Sequence, residues 1–539
     1  MLRPIRTTLA LFLCVVLLLP TTVLADGPEH DQQAAPPEQT APATGLSATP
    51  ASVFGVQVSH LPDTSLLREE QLKSLGATWS MLYVRWSAIE PKNVPVDLYD
   101  WTRTDERLTE LVNTGLQPLL EIQGNPGWAA PAYRTVINPE NLGDFEEFVG
   151  ALASRYSRPP WNIHYYAFFV EPDDWAVKAD GSRGGWGGHG AEYAEMLKRA
   201  YRAVHAADPQ GKVVLGGLAY ETWAGCDPSP CFDLNFLPDI VAAGGAQYID
   251  VLNYHYYDAF KSRYSPPNPI GKARKILELM PSEDRNKPIV LTEIGTPYWK
   301  NTEDAAKTRE EHARFVVKAF AHLMSAPAYG INMLAGSWFL FENYVQTYNT
   351  SSGLVEQHFG LIDEFDQPVA GYRSYSYMAS RLRGANYAST LNVAGTEGYV
   401  FTEADGGGTL LAWATSAAKT ISLRGPRLYV SDKYGVTHTI SDGDLSDLDG
   451  SVGNIGISLT IDPVYVRSVA ACGADFDVDL RISVDDVMRV AQAWGSRTGE
   501  PGYNRDFDLN GNGEIEVEDL LISAKDWRAH CQVLPTPLP

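Results

Sequence analysis

The sequence predicts an α/β chain. Its main body is an eight-stranded parallel TIM (β/α)8 barrel, followed by a small antiparallel β domain and a small α-helical domain. Three observations predict this. Between residues 51 and 385, eight short apolar runs alternate with amphipathic stretches of helical period. From 386 to 470 the runs become shorter and are separated by Gly and Asp turns. After 471 two acidic twelve-residue patterns follow one another, each leading into an apolar helix-like run.

The chain opens on a leader. Arg3 and Arg6 precede an almost wholly apolar run from Leu9 to Leu19, and Val23-Leu24-Ala25 supplies a small-residue cleavage site. Residues 1–25 therefore read as a secretory signal, with an uncleaved N-terminal anchor as the alternative, and the mature chain is expected to be secreted, from Asp26 onward. Residues 26–50 are rich in Pro, Ala, Thr and Gln. They carry too little apolar surface to offset chain entropy, so they read as a disordered linker. Net charge is −23 over 539 residues. Such acidity argues against nucleic acid and against anionic membranes as partners.

The eight candidate strands are Val53–Val58, Trp79–Val84, Pro118–Ile122, Tyr165–Val170, Val213–Gly217, Tyr248–Tyr254, Ile289–Thr292 and Ile331–Trp338. Helical spacing of apolar residues appears over Leu66–Leu75, Glu106–Asn113, Phe145–Tyr156, Tyr193–His205, His312–Met324 and Tyr372–Leu382. Eight strand-then-helix units in this length fit a closed barrel. An open doubly wound sheet is the alternative, but no glycine-rich phosphate turn follows the first strand. The β-like runs after 386 are Tyr399–Thr402, Thr409–Ala414, Thr420–Leu423, Leu428–Val430, Ile455–Ile461 and Val464–Val466, which suggest a β-sandwich-like accessory domain.

Cysteine usage agrees with export. Cys14 leaves with the leader, and two pairs remain: Cys226 with Cys231, and Cys472 with Cys531. An even number suggests two disulfides. Zinc is the weaker reading, because no second Cys/His pair follows Cys226 and Cys231 at the spacing of a zinc site.

Two glutamates end apolar runs of similar design, Glu171 in Phe168-Phe169-Val170-Glu171-Pro172 and Glu293 in Val290-Leu291-Thr292-Glu293. A carboxyl at the end of a buried strand is costly unless it faces a cleft with partners. Two of them are what glycosidic bond cleavage needs, one as a proton donor and one as an ionised nucleophile. Arg85, at the mouth of the second strand, is the candidate that keeps the nucleophile ionised. Glu221 and Glu342 also lie near strand ends and read as solvated or structural.

The C-terminal patterns run from Asp475 to Asp486 and from Asp508 to Asp519, 33 residues apart. Positions 1, 3, 5 and 12 are Asp475, Asp477, Asp479 and Asp486 in the first, and Asp508, Asn510, Asn512 and Asp519 in the second. Side-chain oxygens at these positions, with a backbone carbonyl, are what Ca2+ takes from a wrapping loop. The duplicated loop–helix pattern resembles a dockerin. That resemblance implies structural Ca2+ over residues 471–532 and a cohesin-type partner, leaving 533–539 as a flexible tail. Leu480 stands at position 6 of the first loop, where Gly serves the sharp turn.

The barrel also resembles a family. Arg85-Trp86-Ser87-Ala88-Ile89-Glu90-Pro91, Glu171-Pro172, Asn253-Tyr254-His255-Tyr256-Tyr257, Thr292-Glu293-Ile294-Gly295 and Gly336-Ser337-Trp338 occur in the order found in clan A retaining glycoside hydrolases, nearest to the β-xylosidase-like and cellulase-like members. The resemblance implies Glu171 as acid/base and Glu293 as nucleophile on a carbohydrate substrate. It places His255 and Tyr257 near the two carboxyls, although a core histidine bonded to backbone is the plain alternative for His255. Trp338 is expected as a floor for sugar stacking, and Trp128, Trp175 and Trp186 as cleft aromatics. The family carries Asn directly before the acid/base residue to bind the sugar 2-hydroxyl. Here that residue is Val170, so the role passes to another donor, for which Asn253 is the candidate. An inactive, carbohydrate-binding or scaffold-attached barrel is the alternative function.

Overall fold

A computed structural model describes residues 52–58, 66–94, 98–175, 184–222, 229–300, 308–350, 353–403, 407–425, 427–468, 474, 476 and 482–525. The leader, the linker, the tail, Cys226, Cys472, Cys531, Asp475, Asp477 and Asp479 lie outside the described residues, as does Leu480.

The first part runs β1 (Phe54–Val56), α1 (Leu66–Leu75), β2 (Trp79–Arg85), α2 (Trp86–Ile89), α3 (Thr102–Asn113), β3 (Gln117–Gln123), α4 (Leu142–Tyr156), β4 (Tyr165–Phe168) and α5 (Gly190–Ala207). It continues through β5 (Lys212–Val214), α6 (Phe236–Ala242), β6 (Leu252–Tyr257), α7 (Pro269–Leu279), β7 (Ile289–Gly295), β8 (Tyr298–Lys300), α8 (Arg309–Met324), β9 (Met333–Trp338), β10 (Val345–Thr350), β11 (Gly353–His358) and α9 (Ala370–Leu382). Eight strands form one parallel sheet in the order β5-β4-β3-β2-β1-β9-β7-β6. Parallel bridges Val214 to Val251 and Leu218 to Tyr254 bring its two edges together. Strands buried on both faces must be apolar on both, which is why each reads as a continuous apolar run.

The alternation along each strand divides two cores. Trp79, Met81, Leu119, Tyr165, Ala167, Val214, Val251, Val290 and Ala335 fill the barrel. Leu82, Val84, Leu120, Ile122, Phe168 and Leu291 point outward into a larger core with the helices. Inward positions at the carboxyl ends of β2, β3, β6 and β7 are polar or charged, and the site lies there.

Three helices, α2, α6 and α7, are not legible from periodicity, and α2 is a single turn. α6 spans only two turns. α7 carries a start signal, with Pro269 in its first turn and the Asn268 side chain accepting from Gly271 N at 3.1 Å. Gly271 and Lys272 are buried on its core face, however, and break the apolar count. The sixth strand begins at Leu252 instead of Tyr248, because Gly245–Tyr248 is a 3₁₀ turn. A second departure is a three-stranded antiparallel sheet, β10-β11-β8. Its polar segments Val-Gln-Thr-Tyr-Asn-Thr and Gly-Leu-Val-Glu-Gln-His carry no buried-strand signature.

After α9 come β12 (Asn386–Thr390), β13 (Thr396–Thr402), β14 (Gly408–Ala414), β15 (Lys419–Arg424), β16 (Arg427–Ser431), β17 (Thr437–Ser441), β18 (Asn454–Leu459) and β19 (Val464–Ser468). They form a six-stranded antiparallel sheet and a two-stranded one around their own apolar core. This part is bound to α8 by Arg314 to Asp462 (3.0 Å) and His322 to Glu397 (2.8 Å). Trp413 is buried beneath Lys318 and offers no face to a sugar.

Two helices close the described chain, α10 (Val484–Gln492) and α11 (Val517–Lys525). α10 starts in a capping box between Ser483 and Asp486. Tyr429 of β16 packs with Ala474 and Ile482 of the C-terminal part, and Arg427 pairs with Asp506 at 3.2 Å. No described helix is long and apolar enough to cross a membrane.

Candidate active site

β6 and β7 set the centre of the site. His255 and Glu293 are register partners, and an extra residue in β7 shifts the pairing between Asn253 and His255. This bulge turns Glu293 into the barrel although it stands three residues after the inward Val290. Glu171 arrives differently. β4 ends at Phe168, and Phe169 and Glu171 both adopt left-handed backbone, with φ of 62° and 42°. Such conformations cost of order 1–3 kcal/mol each for residues other than Gly and persist only where the surroundings hold them. Here Glu171 N donates to Gly217 O at 3.0 Å, and Arg134 Nη2 donates to Val170 O at 2.9 Å. Gly217 permits the approach: a Cβ there would lie 2.2 Å from His255 Nε2.

The three side chains meet. His255 Nδ1 lies 3.1 Å from Glu171 Oε1 and 3.4 Å from Glu293 Oε2. That nitrogen and one oxygen from each carboxyl all fall within 4.8 Å of one another. His255 Nε2 contacts Thr292 Oγ1 at 3.1 Å. Glu293 also accepts from Tyr83 at 3.0 Å and from Tyr257 at 2.6 Å. The Glu293 side chain is 7% exposed and that of Glu171 28%, so Glu171 is the carboxyl open to an incoming group.

Charge follows from these contacts. Burial pushes the His255 pKa down, but the Glu293 charge and the Glu171 hydrogen bond outweigh it and raise it to about 9. Burial pushes Glu171 up, and its bond to His255 with the charges of His255, Arg134 and Lys272 brings it below the usual value. Burial and the Glu293 charge hold Tyr83 and Tyr257 neutral, so both act as donors. At neutral pH His255 thus holds its proton beside the Glu171 carboxylate, and the proton that an acid/base residue needs rests on that imidazole.

Several expectations are corrected. Arg85 forms no ion pair with Glu293 among the described residues; Tyr83, two residues earlier on the same inward face, occupies that place. Asn253 is wholly buried, its side chain shared with the Thr292 hydroxyl and backbone N–H, so it offers nothing to a ligand. Trp338 is fully buried, against His312 and Phe315 of α8, and provides no stacking surface. Trp186 is also fully buried, between Phe169 and Tyr193. Trp128 and Trp175 are only half-buried and their expectation stands open: Trp128 lies edge-on to Trp86, and Trp175 donates to Pro230 O at 2.6 Å. Glu342 and Glu221 are buried, so of the two readings, solvated or structural, the structural one holds.

The residues missed are Tyr83, Glu121, Arg134 and an aromatic group beside Tyr257. In that group Phe339 contacts Tyr257 (5.8 Å), Phe359 (5.5 Å) and Tyr344 (5.8 Å), and Tyr344 is exposed. Cys231 is disulfide-bonded.

A second ionic cluster supports the Glu171 turn. Lys272 Nζ binds Glu221 Oε1 at 2.6 Å and also donates to Ala219 O, in a setting where both side chains are almost fully enclosed. Asp173 accepts from Ala219 N and Tyr220 N, tying the segments after β4 and β5 together. Removing one member of a buried pair strands the other charge. Lys272→Met is therefore expected to cost about 3–5 kcal/mol, read as a fall in the thermal unfolding midpoint. The double variant Lys272→Met/Glu221→Gln should recover most of it.

No protein-family model matches the sequence, and no curated protein does. Solved structures match the fold. A family 39 glycoside hydrolase from the gut symbiont Bacteroides cellulosilyticus WH2 superposes with a TM-score of 0.55 at 20% identity, covering 78% of this chain and 81% of that one. The family 39 enzyme of Xanthomonas axonopodis pv. citri gives 0.50 at 14% identity, over 79% of this chain and 96% of that one. A glucosidase from Croceicoccus marinus gives 0.50 at 14%, over 78% and 97%. At these identities the likeness is one of fold.

Proposed function

We propose that this chain is a secreted glycoside hydrolase acting on a polysaccharide or oligosaccharide by a retaining, two-glutamate mechanism. One observation carries the reading: the facing oxygens of Glu171 and Glu293 lie within 4.8 Å, with His255 Nδ1 between them. Retaining glycosidases hold their carboxyls about 5–5.5 Å apart, whereas inverting ones leave room for a water at about 6.5–9.5 Å. The solved structures of similar fold include glycoside hydrolases by name, which points the same way.

In the first step Glu293 attacks the anomeric carbon. The bond to the leaving oxygen breaks, and that oxygen takes a proton from Glu171, drawn from the Glu171–His255 pair. In the second step Glu171 accepts a proton from water as that water attacks the anomeric carbon. The ester to Glu293 breaks and its carboxylate returns. Tyr83 and Tyr257 orient Glu293, and Phe339 and Tyr344 offer ring faces to the sugar. A panel of aryl glycosides and plant polysaccharides tests the reading. Hydrolysis of any member supports it, and silence from folded protein moves the weight to a sugar-binding barrel.

The C-terminal part is proposed as a dockerin-like calcium module with a cohesin-type partner. In the second loop the donor set fits. Asp508 and Asp519 accept loop N–H groups from Asn512, Gly513, Leu509, Asn510 and Glu516, which gathers their carboxyls inward. Gly513, at position 6, has φ of 89°, a turn that only glycine makes without strain. Asp508, Asn510, Asn512 and Asp519 would hold the ion, which would supply folding stability. Calorimetry should show the C-terminal transition falling by several degrees on adding chelator and returning with Ca2+. An unchanged transition would remove calcium from the account.

A further inference from the structure

Glu121 takes no part in the mechanism above, yet it lies close enough to feel the charges of His255, Glu293 and Glu171. It faces the barrel interior on β3, in register with Tyr83 of β2 and Ala167 of β4. It is fully buried, and neither carboxyl oxygen has a hydrogen-bond partner. The two nearest site donors, Tyr83 and His255, are committed elsewhere, and Arg134, whose Nη2 donates to Val170 O, makes no hydrogen bond to it. Tyr83 gives its hydroxyl to Glu293, and His255 gives Nδ1–H to Glu171 with Glu293 3.4 Å away. An ionised carboxylate without a donor in such a place is prohibitively costly, so the group carries its proton.

We propose that Glu121 is a positioning residue: a permanently neutral acid at working pH, whose neutrality leaves Tyr83 and His255 free to serve Glu293 and Glu171. The inference rests on the hydrolase reading and deepens it. Ionisation of Glu121 would add a third negative charge to the pocket. It would compete for the Tyr83 hydroxyl beside it and draw the imidazolium away from the Glu171–Glu293 pair. The charged and titratable groups facing it are Tyr83 on β2, Arg134 after β3, Glu171 after β4, Tyr193 on α5, His255 on β6 and Glu293 on β7. Burial dominates them and raises the carboxyl to about 8.

The sign is therefore fixed. Below about pH 8 Glu121 is neutral and the site is intact; above it the third charge appears and activity falls. Wild-type kcat/KM is expected to lose about tenfold per pH unit above that point. Glu121→Gln, which cannot ionise, should keep activity within about threefold at pH 6 and move the alkaline limb up by less than the gap between about 8 and about 9, because the Glu121 charge is itself one of the causes that raise His255. Glu121→Met serves as a second non-ionising variant if the first does not fold. An alkaline limb that coincides with the wild type overturns the proposal, as does a loss beyond about 100-fold at pH 6.

Infrared difference spectra separate this outcome from failure of the hydrolase reading. A protonated-carboxyl band that bleaches in wild type with a midpoint near pH 8, and is missing in the variant, supports a neutral Glu121 even in a protein silent on every sugar. Absence of that band in wild type overturns it.

Discussion

Glu293→Gln should abolish turnover, lowering kcat on the order of 10⁵-fold on any substrate the wild type accepts. Glutamine keeps the volume and still meets the Tyr83 and Tyr257 hydroxyls, which lie 3.0 and 2.6 Å from the carboxylate oxygens. What it lacks is the charge and the nucleophilic oxygen. Loss of structure cannot be the cause if the unfolding midpoint is maintained. Substrate binding should survive, so KM or a direct titration separates lost chemistry from lost affinity. A second readout is covalent. A slow-turnover glycoside with a good leaving group should label wild type with one sugar, on the peptide that holds Glu293, and leave the variant unlabelled. Equal activity in both proteins would remove Glu293 from the mechanism.

Much of this arrangement was legible, and the reason is physical. A carboxyl at the end of an apolar run has few stable places to go. Glu171 and Glu293 announced themselves because the runs before them are buried on both faces, and the eightfold alternation told where such strands end. Glu121 carried the same signal inside Pro118–Ile122, an acid in the middle of a buried strand, and passed unread because that run has no motif beside it. What was not legible depends on side-chain direction. Trp338 lies one residue past the inward Ser337 position of β9 and so points to α8, a matter of register that a period of two decides only once the strand's phase is known. The β7 bulge and the left-handed turn at Glu171 add unpaired or reversed residues, which no periodic pattern records. Arg85 lost its expected role to Tyr83 because a phenol on the inward face reaches Glu293 with no charge to desolvate.

Glu171→Ala should behave differently from Glu293→Gln, and the difference identifies the acid/base. Protonation of the leaving oxygen contributes about 10²–10⁴-fold. Substrates whose leaving group is a poor base need no proton, so their first step should be little affected while natural glycosides lose the full factor. The second step then becomes limiting for the activated substrates, because water has lost its base. Azide needs none, and it should restore turnover and yield a glycosyl azide of retained configuration, since it attacks the same ester from the face Glu171 vacated. The variant also removes one partner of His255. Glu171 raises the His255 pKa both by its hydrogen bond and by its charge, so without it the imidazolium should titrate lower than about 9 and the alkaline limb of the rescued reaction should move down in pH. The Glu171 charge raises Glu121 as well, so an NMR titration of the imidazole assigns the His255 part of that shift. Uniform loss across leaving groups, with no response to azide, would mean that Glu171 supports the site without acting on the substrate.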